Sequence, residues 1–215
     1  MAAMSKKISM VFSFLFHPLF VVVYGFSIIL FSDNYFSYFF NLRVKLMLLA
    51  ITFSFTCLLP VFNLFVLKRF KLITSYYLED GRERTFPYVI TAMFYMGMAY
   101  LIKDFQIPSI YISFLLAAAI GIILTAIINL KWKISAHLIG MGGLAGSVLA
   151  LSFILNANLL AWFCLIVLAS GLTAFARLAL NAHTPKQVYA GFLVGLLSTF
   201  IFIIVAYIIN IHNVY

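Results

Sequence analysis

The side chains of this chain that could do polar chemistry together are few. Arg177 and His183 stand six positions apart in Ala176–Gly191, ARLALNAHTPKQVYAG, where Thr184-Pro185 breaks the chain just after the imidazole. Ser135 and His137 form a second polar group in Lys133-Ile134-Ser135-Ala136-His137. Arg82 and Arg84 belong to the longest polar stretch, Lys68–Pro87. Guanidinium groups match phosphate oxygens and hold them with two parallel hydrogen bonds. A pair of histidines suits phosphoryl transfer through a covalent intermediate, one ring attacking phosphorus and the other protonating the leaving oxygen. No carboxylate cluster and no Cys/His ligand spacing points to a metal.

The elements that must position these groups are written in hydropathy. Of the 215 residues, 66% are hydrophobic and 9% charged, against about a quarter charged in a soluble domain. Apolar runs of about 18 residues or more read as spanning helices. The pattern predicts an all-α polytopic transmembrane bundle of six to seven spans, folded as a single integral membrane domain over residues 1–215. The expected spans run over Ile8–Phe31, about Leu46–Leu67, Pro87–Ile102, Ser109–Leu130, His137–Leu155, Leu159–Leu180 and Val188–Asn210. His17-Pro18 interrupts the first, with His17 read as an interfacial residue. Gly142/Gly146 and Gly191/Gly195 have the small-xxx-small spacing of close helix packing. Cys57 and Cys164 lie inside apolar runs and read as core filler without a disulfide. Lys68–Pro87 reads as a solvated loop with local ion pairs, in which Arg82 or Arg84 could swing over the bundle mouth.

The span count has a consequence for the polar groups. Two spans separate Arg84 from His137, and two more separate His137 from His183. An even number of crossings returns the chain to the same face, so Arg82/Arg84, Ser135/His137 and Arg177/His183 are all predicted on one side of the membrane. The formal charge of +9 is no nucleic-acid signal in such a chain. It marks loops held on one side, or sites for anionic headgroups.

These pieces carry a resemblance. Ala176-Arg177, five residues, His183, three residues, Gln187-Val188 and then Gly191 resemble the third signature of the type 2 phosphatidic acid phosphatase (PAP2) superfamily. Ile134-Ser135-Ala136-His137 resembles the second signature, Pro-Ser-Gly-His, and Arg82–Pro87 (RERTFP) stands where the first should be. The chain thus resembles a divergent bacterial integral-membrane member, with a PAP2-like core over about 79–195. Gln187 occupies the place of the signature's Asp, and Glu79 falls on the position of the first signature's Lys.

The resemblance implies metal-independent removal of phosphate from a lipid phosphate or polyprenyl pyrophosphate through a phosphohistidine. His183 would be the nucleophile, oriented by Gln187, and His137 the general acid. Arg177, Arg84, Arg82 and Ser135 would hold the phosphate. No cofactor and no metal is implied, and the partners are membrane lipids and the lipid phosphate or isoprenoid pyrophosphate substrate, with no nucleic acid. The alternative expectation is a catalytically inactive protein of this fold that binds or transports a phosphorylated lipid. An amide at position 187 can orient the imidazole but cannot stabilise the imidazolium as a carboxylate does. The protein is expected in the cell (inner) membrane. Lys6, Lys7, Lys68, Arg69, Lys71, Lys131, Lys133 and Lys186, against Arg43, Lys45 and Lys103 on the other side, favour a cytoplasmic motif side by the positive-inside rule, whereas the resemblance implies an outer or lumenal one.

Overall fold

A computed structural model of the chain describes residues 2–76, 81–155 and 158–212. Among them there are helices and no strand. In order these are α1 (Ala2–Leu15), α2 (Pro18–Phe31), a 3-10 turn (Tyr35–Phe39), α3 (Leu42–Phe53), α4 (Leu59–Arg69), α5 (Gly81–Ile102), α6 (Ser109–Asn129), α7 (Ala136–Leu155), α8 (Leu160–Ala179) and α9 (Pro185–His212). A π-helical turn, Ser54–Leu58, joins α3 to α4, so that Leu42–Arg69 is one continuous apolar helix of 28 residues. Among the described residues six helices are long and apolar enough to cross a membrane, and the bent pair α1–α2 makes a seventh candidate. This fits a multi-pass membrane protein. Along α8, Leu165, Leu168, Leu172 and Phe175 recur every three or four residues on an exposed stripe, as expected of a face turned to hydrocarbon.

The first span bends at His17-Pro18, where the sequence interrupts it, and two other spans start elsewhere than the hydropathy pattern puts them. In the first, α1 and α2 meet at 53°. Pro18 has no N–H to continue α1 and pushes the preceding residue out of the helical region; His17 is extended, at φ −65 and ψ 137. The helix of the second span begins at Leu42, taking Arg43 and Lys45 into its first turn. The third span does not start at Pro87: α5 begins at Gly81, with Pro87 inside it. Arg84 is therefore a helical residue, 8% exposed, and not a loop residue swinging over the mouth.

Two groups of contacts hold described residues of the polar stretch. Glu83 accepts hydrogen bonds from the Thr74 N–H and hydroxyl at 3.1–3.2 Å. The Lys68 ammonium sits 4.0 Å from the centre of the Tyr76 ring. Glu79 lies outside the described residues.

The centre of the bundle is the α7–α9 pair. A Cβ placed on Gly142 would meet the carbonyl of Phe192, one on Gly146 the carbonyl of Leu196, and one on Gly195 the carbonyl of Ile139. The small residues expected to pack are thus paired across one interface, where the two backbones nearly touch. Around it lies a core including Phe26, Met98, Tyr111, Leu115, Leu144 and Ile203. Both cysteines are free; Cys57 is buried, whereas Cys164 is exposed on α8 and is not core filler.

Candidate functional site

The link from α8 to α9 is built by two helix caps that leave three residues between them. Asn181 has φ 51, the left-handed conformation that Asn tolerates better than most residues. The Ala182 N–H bonds the Arg177 carbonyl at 3.1 Å and the Asn181 N–H bonds that of Leu178 at 2.9 Å. This is the Schellman closure of a helix. Helix α9 opens with Thr184 before Pro185, and the Gln187 Oε1 reaches back to the Thr184 N–H at 3.1 Å. Thr-Pro-Lys-Gln is thereby one half of a capping box, with proline at its favoured first helical position. His183 is held in the short turn between the two caps.

The same Gln187 oxygen lies 3.2 Å from His183 Nδ1. A backbone N–H can only donate, so the atom facing Thr184 is the amide oxygen, which can only accept. His183 Nδ1 must then carry the proton, and the lone pair of the neutral ring is on Nε2. Burial first, then the neighbouring Arg177, with Lys133 and Arg84 further off, pull the His183 imidazole down to about 4 against the opposing pull of the Gln187 hydrogen bond. At neutral pH the ring is uncharged and its Nε2 lone pair is available.

Arg177, in the last turn of α8, donates from Nη1 to the Ser13 hydroxyl at 2.8 Å. Its Nε is buried without a hydrogen-bond partner. His137 sits at the start of α7, where its Nε2 lies 3.1 Å from the Ser13 carbonyl. A carbonyl only accepts, so this nitrogen carries a proton and Nδ1 is the one that can gain or lose another. The Ser13 hydroxyl is also 3.4 Å from the same Nε2. One residue near the end of α1 therefore touches both the arginine and the second histidine.

Arg84, His137, Arg177 and His183 line a single cavity of about 230 Å³. It reaches along α7 from His137 through Gly140 and Leu144 to Ser147, about 15 Å at the rise of an α-helix. Its arginines and histidines gather at the loop end; the rest is lined by Val21, Val22, Phe114 and Ile122 together with the hydroxyl residues Thr125, Ser147 and Thr199. No Asp or Glu of the described residues lines it. Two arginines at one end put positive charge there, and the lining beyond them is mostly apolar with a few hydroxyls. Among the described residues no group of three His, Cys, Asp or Glu is placed to hold a metal ion.

The other residues singled out in the sequence are placed differently. Ser135 does not line the cavity; it is wholly buried. Its N–H donates to the Gln187 carbonyl at 3.4 Å, and its carbonyl lies 2.9 Å from where a Cβ of Gly191 would stand. It fastens α7 to the first turns of α9, and its hydroxyl has no partner. The Arg82 side chain lies outside the described residues. Three residues at the cavity have no role there in the sequence reading: His17, Ser13 and Tyr88. His17, read from the sequence as an interfacial residue, lines the cavity. Ser13 touches its walls, and Tyr88 lines it one turn after Arg84 on α5. Pro18 offered a signal, since a proline inside an apolar run marks a helix start, and the residue before it is a cap that exposes polar groups. Comparison with known proteins finds no family model, no curated protein and no solved structure that the chain matches.

Proposed function

We propose that this protein is a metal-independent phosphatase of a lipid phosphate or polyprenyl pyrophosphate, of the PAP2 type, acting through a phosphohistidine on His183. The carrying observation is the hydrogen bond from His183 Nδ1–H to Gln187 Oε1, with the oxygen fixed by the Thr184 N–H. It leaves the Nε2 lone pair free beside a cavity lined by Arg177 and Arg84. That lone pair attacks phosphorus, and the bond from phosphorus to the leaving oxygen breaks with its electron pair on oxygen. His137 takes up a proton on Nδ1 as the phosphate dianion enters beside it, Nε2–H staying on the Ser13 carbonyl, and gives that proton to the leaving oxygen. Water then attacks phosphorus while His137 Nδ1 takes the water's proton; the P–N bond breaks with its electron pair returning to His183 Nε2, and inorganic phosphate leaves. Arg177 supplies charge and an unspent Nε–H to the phosphoryl oxygens. The apolar depth of the cavity accepts the first part of the hydrocarbon chain. Lys131, Lys133 and Lys186 flank the site end, which supports a cytoplasmic opening by the positive-inside rule.

A second reading keeps the same ligand without turnover: a protein of this type that binds or transports a phosphorylated lipid. Gln187 supports it, because a neutral amide cannot offset the charge that builds on the imidazole during attack. The two readings part in one assay. Purified, detergent-solubilised protein is given a panel of lipid phosphates and pyrophosphates in the presence of chelator, beside His183→Ala. Release that survives chelator and disappears in the variant supports the phosphatase. Affinity for the same lipids without release, weakened by Arg177→Ala, supports the binder. Neither release nor binding would refute both.

A further inference from the structure

A third imidazole reaches the cavity and has no part in the steps above. His17 sits at the break between α1 and α2, where its backbone is tied on both sides. Its N–H donates to the Phe14 carbonyl at 3.1 Å, and its own carbonyl accepts from Phe20 at 2.9 Å. The ring is packed edge-to-face on His137, with centroids 5.1 Å apart and planes at 83°. Phe20 lies against it in the same manner, at 6.4 Å. Such packing on two sides leaves the ring little rotational freedom.

Its protonation pattern can be read from one contact. His17 Nδ1 caps α2 by accepting the Leu19 N–H at 3.3 Å. An N–H only donates, so Nδ1 holds the lone pair and Nε2 holds the proton. Placing a second proton on Nδ1 would destroy the cap and put another cation beside Arg177. No hydrogen bond among the described residues reaches Nε2. His17 is thus a neutral, oriented N–H donor on the wall of a cavity that also holds Arg177 and His183.

We propose that His17 binds a non-bridging phosphoryl oxygen through Nε2–H, as an uncharged donor that completes the anion site from the α1–α2 break. This rests on the phosphatase reading of the cavity. The assignment excludes His17 as the general acid: losing its only ring proton would leave an imidazolate. His137 does not have that difficulty, since it keeps Nε2–H on Ser13 while Nδ1 cycles. The break in the first span then has a purpose, because a straight helix would carry residue 17 past the site with its backbone closed.

The test uses two substitutions that separate the donor from the cap. Gln places an amide N–H near the Nε2 position but loses the cap acceptor; Asn keeps a good cap acceptor and loses the donor. Full-length wild type, His17→Gln, His17→Asn and His17→Ala are compared in detergent for orthovanadate binding and for phosphate release. Elution profile and melting are recorded alongside. Removal of one oxyanion donor elsewhere lowers turnover by roughly 10²–10³-fold. His17→Asn is expected to lose about that much release and to bind orthovanadate more weakly, while His17→Gln stays within about tenfold of wild type. If His17→Ala does not fold, the Gln and Asn variants still decide. Activity in His17→Asn equal to wild type, or losses equal in Gln and Asn, would overturn the donor role and leave the phosphatase reading standing. A wild type that neither binds orthovanadate nor releases phosphate would overturn both.

Discussion

The contact between Gln187 and His183 allows a sharp quantitative test, because Gln187→Glu changes charge with almost no change in shape. Gln187 Oε1 already lies 3.2 Å from His183 Nδ1, so the isosteric carboxylate needs no rearrangement. The shorter Asp at the same position would leave a gap. When Nε2 bonds phosphorus, the ring becomes cationic, and a carboxylate on its far side stabilises that charge. Two unit charges about 4 Å apart are worth about 4 kcal/mol at an effective dielectric of 20. Both residues are only partly buried, and halving for solvent screening leaves about 2 kcal/mol. That corresponds to roughly thirtyfold in rate, while the Asp-to-Asn change of a serine protease, about four orders of magnitude, sets an upper bound. The assay is phosphate release at pH 7 from a lipid pyrophosphate, in detergent with chelator. The Glu variant is expected to be about thirtyfold faster than wild type. The same charge raises the His183 pKa from about 4 by about one and a half units, so the acid limb of kcat/KM moves up with it. A folded Gln187→Glu no faster than wild type would refute the proposal that residue 187 acts on a developing imidazolium.

Other consequences follow from particular residues. His183 is held near 4 rather than 6.5, so wild-type kcat/KM is expected to have no acid limb from this residue between pH 5 and 7; an imidazole NMR signal, assigned by its absence in His183→Ala, that titrates near 6.5 would contradict it. The sign for stability is the same: the fold binds fewer protons than the unfolded chain in that window, so His183 costs stability as pH falls from about 6.5 towards 4. Urea or thermal titration of wild type against His183→Gln reads this directly, the wild type losing more. Arg177→Lys keeps charge but loses the fork and the unspent Nε–H; a hydrogen bond to a charged group is worth about 1.5–3 kcal/mol, so kcat/KM is expected to fall about ten- to a hundredfold. Gly195→Ala would push a methyl group into the Ile139 carbonyl, and overpacking of this kind costs about 1–3 kcal/mol. A lower melting temperature in detergent is expected, whereas Gly171→Ala, which meets nothing within 4 Å, should change little.

Much of the architecture was legible because hydrocarbon leaves a chain few choices. A stretch such as Ser109–Asn129 has to be a helix in a bilayer, since no other regular structure satisfies its own backbone without partners. Crossing parity then carried Arg84, His137, Arg177 and His183 to one end of the bundle without any knowledge of packing. The small-residue spacing of α7 and α9 likewise announced a close interface, although not that each helix was the other's partner. What the sequence could not decide was set by contacts between residues far apart in the chain. Ser13 meets His137 and Arg177 across 124 and 164 positions, and no local pattern encodes such a meeting. Ser135 stands in the place of a phosphate ligand by sequence, yet packing on α9 turns it into a fastener. His17 was read from its neighbours as an interfacial residue; only the 53° break, and the helices that close around it, bring its ring into the cavity. Periodicity and charge depend on each residue's own solvation, which the sequence states, whereas the direction of a side chain within the bundle depends on which helices lie against it, which only the tertiary structure decides.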